Sequence, residues 1–365
     1  MRLAIIASLF ACPLGATPIY RVIDLGSLGG ASAATAINAS GLAAGWSLVG
    51  SQSVSAMASD GDTAPRALAP SRQSRAYGLN DSGTVAGVQY DAFGRAHAAT
   101  WNGENEVGTE LAGADSYALA INATGIMAGA VSGRAVRITI DGDVEDAGVN
   151  TPWSSANAIN DSGSVAGTAQ LANGRFRAFS AEADGQVTML GTLGGSASYG
   201  QAINDGGWVV GGSTTVRGYL HAFLSAKGTM RDLGTLGGGN SSAYGINEQG
   251  QVVGFSNTWD GQSSAFLWED GVMRDLNTSI TADSGWRLLE ASAINDSGQI
   301  VGFGLFNGAQ RAFRLDPIEQ RFEDAALTAT FDVDATPIPE PSALLLVAAG
   351  LAAIAFGLSK PNYFN

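Results

Sequence analysis

The strongest constraint on this chain is a sevenfold self-similarity. Aligned on the Asn of a recurring Ile-Asn pair, once Leu-Asn, the copies sit at Asn38, Asn80, Asn122, Asn160, Asn204, Asn247 and Asn295. A Gly follows each of them three residues later, from Gly41 to Gly298, and a second Gly four residues beyond that, from Gly45 to Gly302. Self-similarity at a period of roughly 40 residues marks a module that cannot bury its apolar face alone and must stack on its neighbours. The stretch Asp232 to Gly254, DLGTLGGGNSSAYGINEQGQVVG, is the clearest copy.

One unit reads as four short apolar segments. SSAYGIN is followed by a turn, QVVGFS returns antiparallel, SSAFLW forms the third segment and VMRDL closes the unit. The first turn is Asn-Asp-Ser-Gly at Asn80 to Gly83, Asn160 to Gly163 and Asn295 to Gly298, an order that suits a type I turn ended by a Gly at positive φ. A second turn at Asp270-Gly271 has relatives at Asp60-Gly61, Asn102-Gly103, Asp141-Gly142, Asp184-Gly185 and Lys227-Gly228. Four short antiparallel strands per unit are the signature of a propeller blade. The prediction is an all-β, seven-bladed β-propeller of four-stranded antiparallel blades over residues 17–316. A β-solenoid is the competing repeat fold, and tight antiparallel hairpins fit it poorly. A lone strand, Tyr20 to Leu25, precedes unit one, and unit seven ends on its third strand. Either that lone strand or Arg321 to Phe331 therefore completes the last blade.

Composition agrees: 50 Gly and only 14% charged residues in 365 suit short strands and tight turns. The net charge of -14 argues against nucleic acid or an anionic membrane surface as partner. Residues 1–16 read as a signal peptide, with Arg2, an apolar run from Leu3 to Ala11 and small residues ending at Ala16. The only cysteine, Cys12, falls within it, so no disulfide is expected in the mature chain. "LFAC" is also an imperfect lipoprotein signal. Residues 317–337 read as an acidic linker. Residues 338–365 contain Pro339-Glu340-Pro341 and then an uncharged run, Ala343 to Leu358, expected as a transmembrane helix. A buried terminal helix is the alternative.

Two resemblances follow. The tail resembles a PEP-CTERM sorting signal: Pro339, Glu340 and Pro341 open it, Ser342 follows, and an apolar helix runs almost to the end. That implies export, a stay in the inner membrane through the C-terminal helix, and processing near the triplet by an exosortase-like sorting enzyme. It departs from the family's basic terminus in having only Lys360 before Pro361. The body, about residues 19 to 315, resembles the HAF family of extracellular repeat proteins. His221-Ala222-Phe223 is the intact triplet, and His97-Ala98-Ala99, Arg177-Ala178-Phe179, Ser264-Ala265-Phe266 and Arg311-Ala312-Phe313 are its relatives. That resemblance implies a cell-surface or extracellular place and no particular reaction.

Candidate chemistry is sparse. His97 and His221 are the only histidines and share one template position, so a structural role is expected and no metal. The Gly-rich LGTLGGG near Asp232 recurs as a link, without the helix that phosphate binding needs. The pairs Asp60/Asp62, Asp141/Asp143 and Asp332/Asp334 do not supply the oxygen ligands of a calcium loop. Glu104, Glu106, Glu110, Asp115, Glu145 and Asp146 lie outside the template, where a glycosidase or lyase would need a facing pair. The chain lacks a nucleophile elbow, and no cofactor is expected.

Aromatics give the best site hypothesis. With the first segment innermost, the tight turns share one face, and the loops between segments two and three share the other with the inter-blade links. Tyr90 and Trp259 belong to those loops, Trp153 and Trp286 to the links. Exposed aromatics on a rigid scaffold can stack on sugars or on a protein partner, or else plug gaps between blades. Trp101 and Trp268 repeat at the end of segment three and are expected in blade packing. The expected function is a non-enzymatic surface protein that binds extracellular polysaccharide or a surface protein. A propeller-type carbohydrate-active enzyme and a purely structural envelope component are the alternatives.

Overall fold

A computed structural model describes residues 19–318 apart from 51–52 and 103–108. The described chain forms seven four-stranded antiparallel sheets, one per repeat. Six are built from consecutive strands. The seventh is completed by the N-terminal strand Ile19–Asp24, which pairs antiparallel with Ala309–Ile318 and sets Tyr20 opposite Pro317 and Val22 opposite Leu315. The lone strand thus seals the ring, covering an edge that would otherwise invite pairing with another chain. The rival strand, Arg321 to Phe331, and the expected transmembrane helix lie outside the described residues. Within them, no helix is long and apolar enough to cross a membrane.

The template residues build the ring. Each repeat Asn donates from Nδ2 to the backbone carbonyl of the Asn in the next blade, at 3.0–3.2 Å, and the last bond runs from Asn295 back to Asn38. The Oδ1 of the same side chain accepts the backbone N–H four residues on, at 2.9–3.0 Å, which fixes the turn. All seven turn glycines have positive φ, between 71° and 86°, as the Asn-Asp-Ser-Gly pattern predicts. The second Gly has a steric cause. A Cβ there would lie 1.8–2.1 Å from a carbonyl oxygen of the innermost strand in every blade, closer than any side chain permits.

The triplet has a cause too. Its Ala and Phe are fully buried at Ala178-Phe179, Ala222-Phe223, Ala265-Phe266 and Ala312-Phe313, while the first residues Arg177, His221 and Arg311 stand nearer the surface and Ser264 is buried. The Ala N–H donates to a buried Ser Oγ at the start of the next blade's innermost strand, as from Ala98 to Ser116 (2.8 Å), Ala222 to Ser241 (2.8 Å) and Ala312 to Ser32 (3.0 Å). Blade seven has Leu288 in place of that Ser. There Asn277 bridges instead, accepting from Leu288 N–H at 2.7 Å and donating to Ser264 Oγ at 2.7 Å.

Each innermost strand also carries a one-residue bulge three positions before its Asn. The residues there are Thr35, Tyr77, Leu119, Asn157, Gln201, Tyr244 and Ser292. A bulge re-aims a side chain, and all seven line the central channel.

Asn160→Ala should leave the N–H of Ser164 unpaired in a buried ring and remove one of the two donors to the Asn204 carbonyl, which keeps the Gly207 N–H. The expected loss is roughly 1–3 kcal/mol for each group left unsatisfied, read as a lower urea midpoint. An unchanged midpoint would show that the ring does not contribute to stability.

Candidate functional site

Antiparallel topology places the loops between second and third strands, and the links between blades, on one face of the disc. Four of these loops are one turn repeated: Asp91–Gly94, Leu171–Gly174, Thr215–Gly218 and Thr258–Gly261. In each, the Gly N–H donates to the first residue's carbonyl at 2.8–3.0 Å, and the Gly has positive φ. These loops are therefore constant in backbone in these blades, and only their tip residues differ. The tips project outward: Trp259 is 85% exposed, Phe93 85% and Val216 83%. Phe93, Val216 and the half-exposed Tyr219 were missed from sequence, although Val216 shares with Trp259 the place two residues before the turn Gly, and Phe93 and Tyr219 adjoin the same Gly.

Trp259 stands between two open recesses. The first, of about 750 Å³ between blades five and six, is lined by Arg217, Tyr219, His221, Asp232 and Thr235. The second, of about 710 Å³ between blades six and seven, is lined by Asp260, Gln262, Asp275, Asn277 and Arg287. Their polar groups are ordered by neighbours. His221 Nδ1 lies 2.9 Å from an Asp232 oxygen. Arg287 Nη2 donates to Gln262 Oε1 at 2.5 Å. The Thr258 hydroxyl donates to Asp260 and, with the Gln262 N–H, holds that carboxyl below its ordinary range. An exposed indole beside carboxylate, amide and guanidinium groups can stack on one face of a ring and hydrogen-bond its edge.

The other three expected aromatics are placed differently. Trp153 is 39% exposed, meets Phe176 edge-on at 6.1 Å and lines a recess of about 600 Å³ with Asp115 and Tyr117. Trp286 stacks on Phe306 at 5.1 Å and meets Phe313 edge-on at 6.0 Å, packed against the core between blades six and seven. Tyr90 is partly buried at the end of its strand, opposite Ala96. The four occupy blades two, four, six and seven and do not form one cluster.

The acidic candidates lie at blade edges. Glu110 pairs with Arg72 at 3.1 Å, and Asp146 with Arg134 at 3.1 Å beside Glu145. Asp115 occupies a positive-φ position. Glu104 and Glu106 lie outside the described residues. His97 lies 3.4 Å from Asp91 and 3.7 Å from Glu110, so both histidines tether third strands to neighbouring acids. Asp60 accepts from the Thr63 and Asp62 N–H groups, which lower its pKa, and so closes a local turn. Asp141 and Asp143 fall in another hairpin turn, and Asp332 and Asp334 lie outside the described residues. Among the described residues, no group of three or more His, Cys, Asp or Glu is placed to hold a metal ion.

No protein-family model and no curated protein sequence matches the chain. Similar solved structures include TolB from Acinetobacter baumannii, at 15% identity and TM-score 0.41, covering 66% of this chain and 64% of that one. The chain thus spans less than two thirds of that TolB. Others are a gluconolactonase from Xanthomonas campestris, at 13% identity and TM-score 0.39, covering 67% and 90%, and the BP39L lectin from Burkholderia pseudomallei, at 11% identity and TM-score 0.43, covering 79% and 98%. At these values none of them transfers an activity to this chain.

The placements separate two tryptophans that sequence alone treats alike. Trp286→Ala should cost roughly 2–3 kcal/mol, somewhat below the loss for a fully buried aromatic, whereas Trp259→Ala should stay within about 0.5 kcal/mol of wild type. Thermal melts of the two variants read the difference.

Proposed function

We propose that this is an exported, non-enzymatic propeller that binds an extracellular polysaccharide through the loop-bearing face, with Trp259 as its central stacking platform. The observation that carries the reading is the pairing of an 85% exposed indole with two polar recesses, one on each side of it. A chain of sugar rings crossing blades five to seven would meet Tyr219, Trp259 and Arg287 in turn. Flat rings in a polymer suit a shallow, open surface, where several weak contacts add through multivalency. A surface protein is the other partner of this reading, and the N-terminal signal and the Pro339-Glu340-Pro341 tail supply its route: export, passage through the inner membrane and handling by an exosortase-like enzyme.

Affinity electrophoresis in gels containing acidic or neutral bacterial polysaccharide tests the proposal. Wild type should be retarded, Trp259→Ala and Arg287→Ala should each weaken retardation at least tenfold, and Trp153→Ala should have a smaller effect. Equal migration of wild type and Trp259→Ala would overturn it. Release of reducing ends or unsaturated sugars would instead favour the carbohydrate-active enzyme.

A further inference from the structure

The central channel is divided by an apolar girdle made by the residue before each repeat Asn, Ile or Leu in all seven blades. On the turn side lies the Asn ring. On the loop side lies a cavity of about 460 Å³, lined by the bulge residues and by Glu290. Glu290 breaks the template. Five positions before the Asn, the other blades carry Ala33, Arg75, Tyr117, Ser155, Tyr199 and Ser242. The strand of blade seven also has a second bulge, between Leu288 and Glu290, beside this carboxyl.

Glu290 is the only carboxylate lining the cavity, and no Lys, Arg or His lines it. No hydrogen bond or ion pair holds its side chain among the described residues. Burial pushes its pKa up to about 7. The other titratable groups of the cavity are Tyr244, from the innermost strand of blade six, and Tyr77, from that of blade two. Burial raises the pKa of both, Tyr244 to about 12 with the charge of Glu290 adding to the effect.

We propose that this cavity binds a small organic ammonium ion, with Glu290 as counter-ion and the rings of Tyr77 and Tyr244 as aromatic walls. An ionised carboxyl in a largely buried site needs a positive partner, and the lining supplies none: Arg75, the cation beside the Tyr77 wall, meets the Tyr77 hydroxyl and lies over the Trp46 ring at 4.9 Å. A hard divalent cation would want several oxygen ligands, and Glu290 offers the only carboxylate. Tyrosine faces favour an ammonium of low hydration instead. The amide of Gln201 is available for a polar tail, whereas that of Asn157 is held by the Ser155 hydroxyl and the Gly200 carbonyl. The net charge of -14 raises the local concentration of cations around the whole molecule. This site is separate from the polysaccharide surface around Trp259.

Isothermal titration of the full chain with choline tests the assignment, with glycerol and magnesium chloride as neutral and inorganic comparisons. Choline should bind at pH 8 and at least tenfold more weakly at pH 5, where Glu290 is protonated. Glu290→Gln should weaken binding at pH 8 at least tenfold and remove its pH dependence, while Trp259→Ala leaves it unchanged. Absence of choline binding at pH 8, equal binding by Glu290→Gln, equal or tighter binding of glycerol or magnesium, or loss of choline binding in Trp259→Ala would each overturn the proposal. The sign of the stability effect gives a second readout. A carboxyl whose pKa rises from 4.5 to about 7 on folding costs stability when ionised, so the penalty is absent below pH 4.5 and grows as pH rises through 7. Glu290→Gln should therefore melt higher than wild type at pH 8 and equally at pH 4, and choline should raise the wild-type melting temperature only at the higher pH. If Glu290→Gln does not fold, the pH dependence of choline binding by wild type decides alone, and a flat profile overturns the site.

Discussion

The closed ring of asparagine side chains is the interaction on which the rest of this propeller depends. Each Asn performs two tasks with one amide: Oδ1 ties its own hairpin and Nδ2 reaches the neighbouring blade. Because the seventh bond returns to Asn38, the set of bonds closes only if the number of blades and their rotation are both right. A second, incomplete ring lies one residue further on. Ala39 donates to Asp81, Ala123 to Asp161, Asp161 to Asp205, Asp205 to Glu248 and Glu248 to Asp296. Five carboxylates crowd one mouth of the channel, and a backbone N–H from the preceding blade meets each of them. Repulsion among like charges is thereby offset by charge-assisted hydrogen bonds at the same place.

Outer parts of the blades are joined by fewer and more individual contacts. Arg137 donates to the carbonyls of Gly163, Ala181 and Glu182, joining blade three to blade four. Arg314 reaches the carbonyls of Gly41 and Asp60 across the closure between blades seven and one, while Asp316 accepts from its guanidinium. Both Arg side chains are buried, and their charge is tolerated because carbonyl dipoles and carboxylates converge on it. The closure therefore rests on several contacts at once: the N-terminal strand, the Asn295 bond, the Ala312 bond to Ser32 and the Arg314 clamp.

How much of this was legible in the sequence follows from how often a residue is repeated. Asn and the two Gly recur in all seven copies and the triplet in five, which made the hairpins and the positive-φ turn Gly readable, whereas the bonds that Asn makes to the next blade and the close approach at the second Gly appear only in the fold. The strand count, the turn type and the N-terminal closure came from the same redundancy. Single-copy features had no such support. Trp286 and Trp259 look alike in a chain with few tryptophans, yet one has Phe306 and Phe313 to cover it and the other has solvent. Nothing near either residue in sequence names those partners, because Phe306 and Phe313 come from the two strands that follow Trp286's own in the blade.

Glu290 was illegible for a related reason. Its strand carries a bulge between Leu288 and Glu290 besides the one shared by all seven inner strands, and no local turn residue announces it. Seen in sequence, it is an acid in the run WRLLEASAIN. Seen in the fold, it is the only carboxylate in a cavity walled by neutral side chains. A repeat scaffold of this kind stabilises itself through positions that stay the same, which leaves the bulge positions and loop tips free to change without loss of closure. The seven bulge residues, Thr, Tyr, Leu, Asn, Gln, Tyr and Ser, differ for that reason, and the symmetry of the backbone ring carries an asymmetric set of side chains into one cavity. The same division holds on the loop-bearing face, where one turn backbone presents Phe93, Asn173, Val216 or Trp259 at its tip. Chemical individuality in this fold therefore lies in departures from the repeat, at places where the repeat has already fixed the backbone.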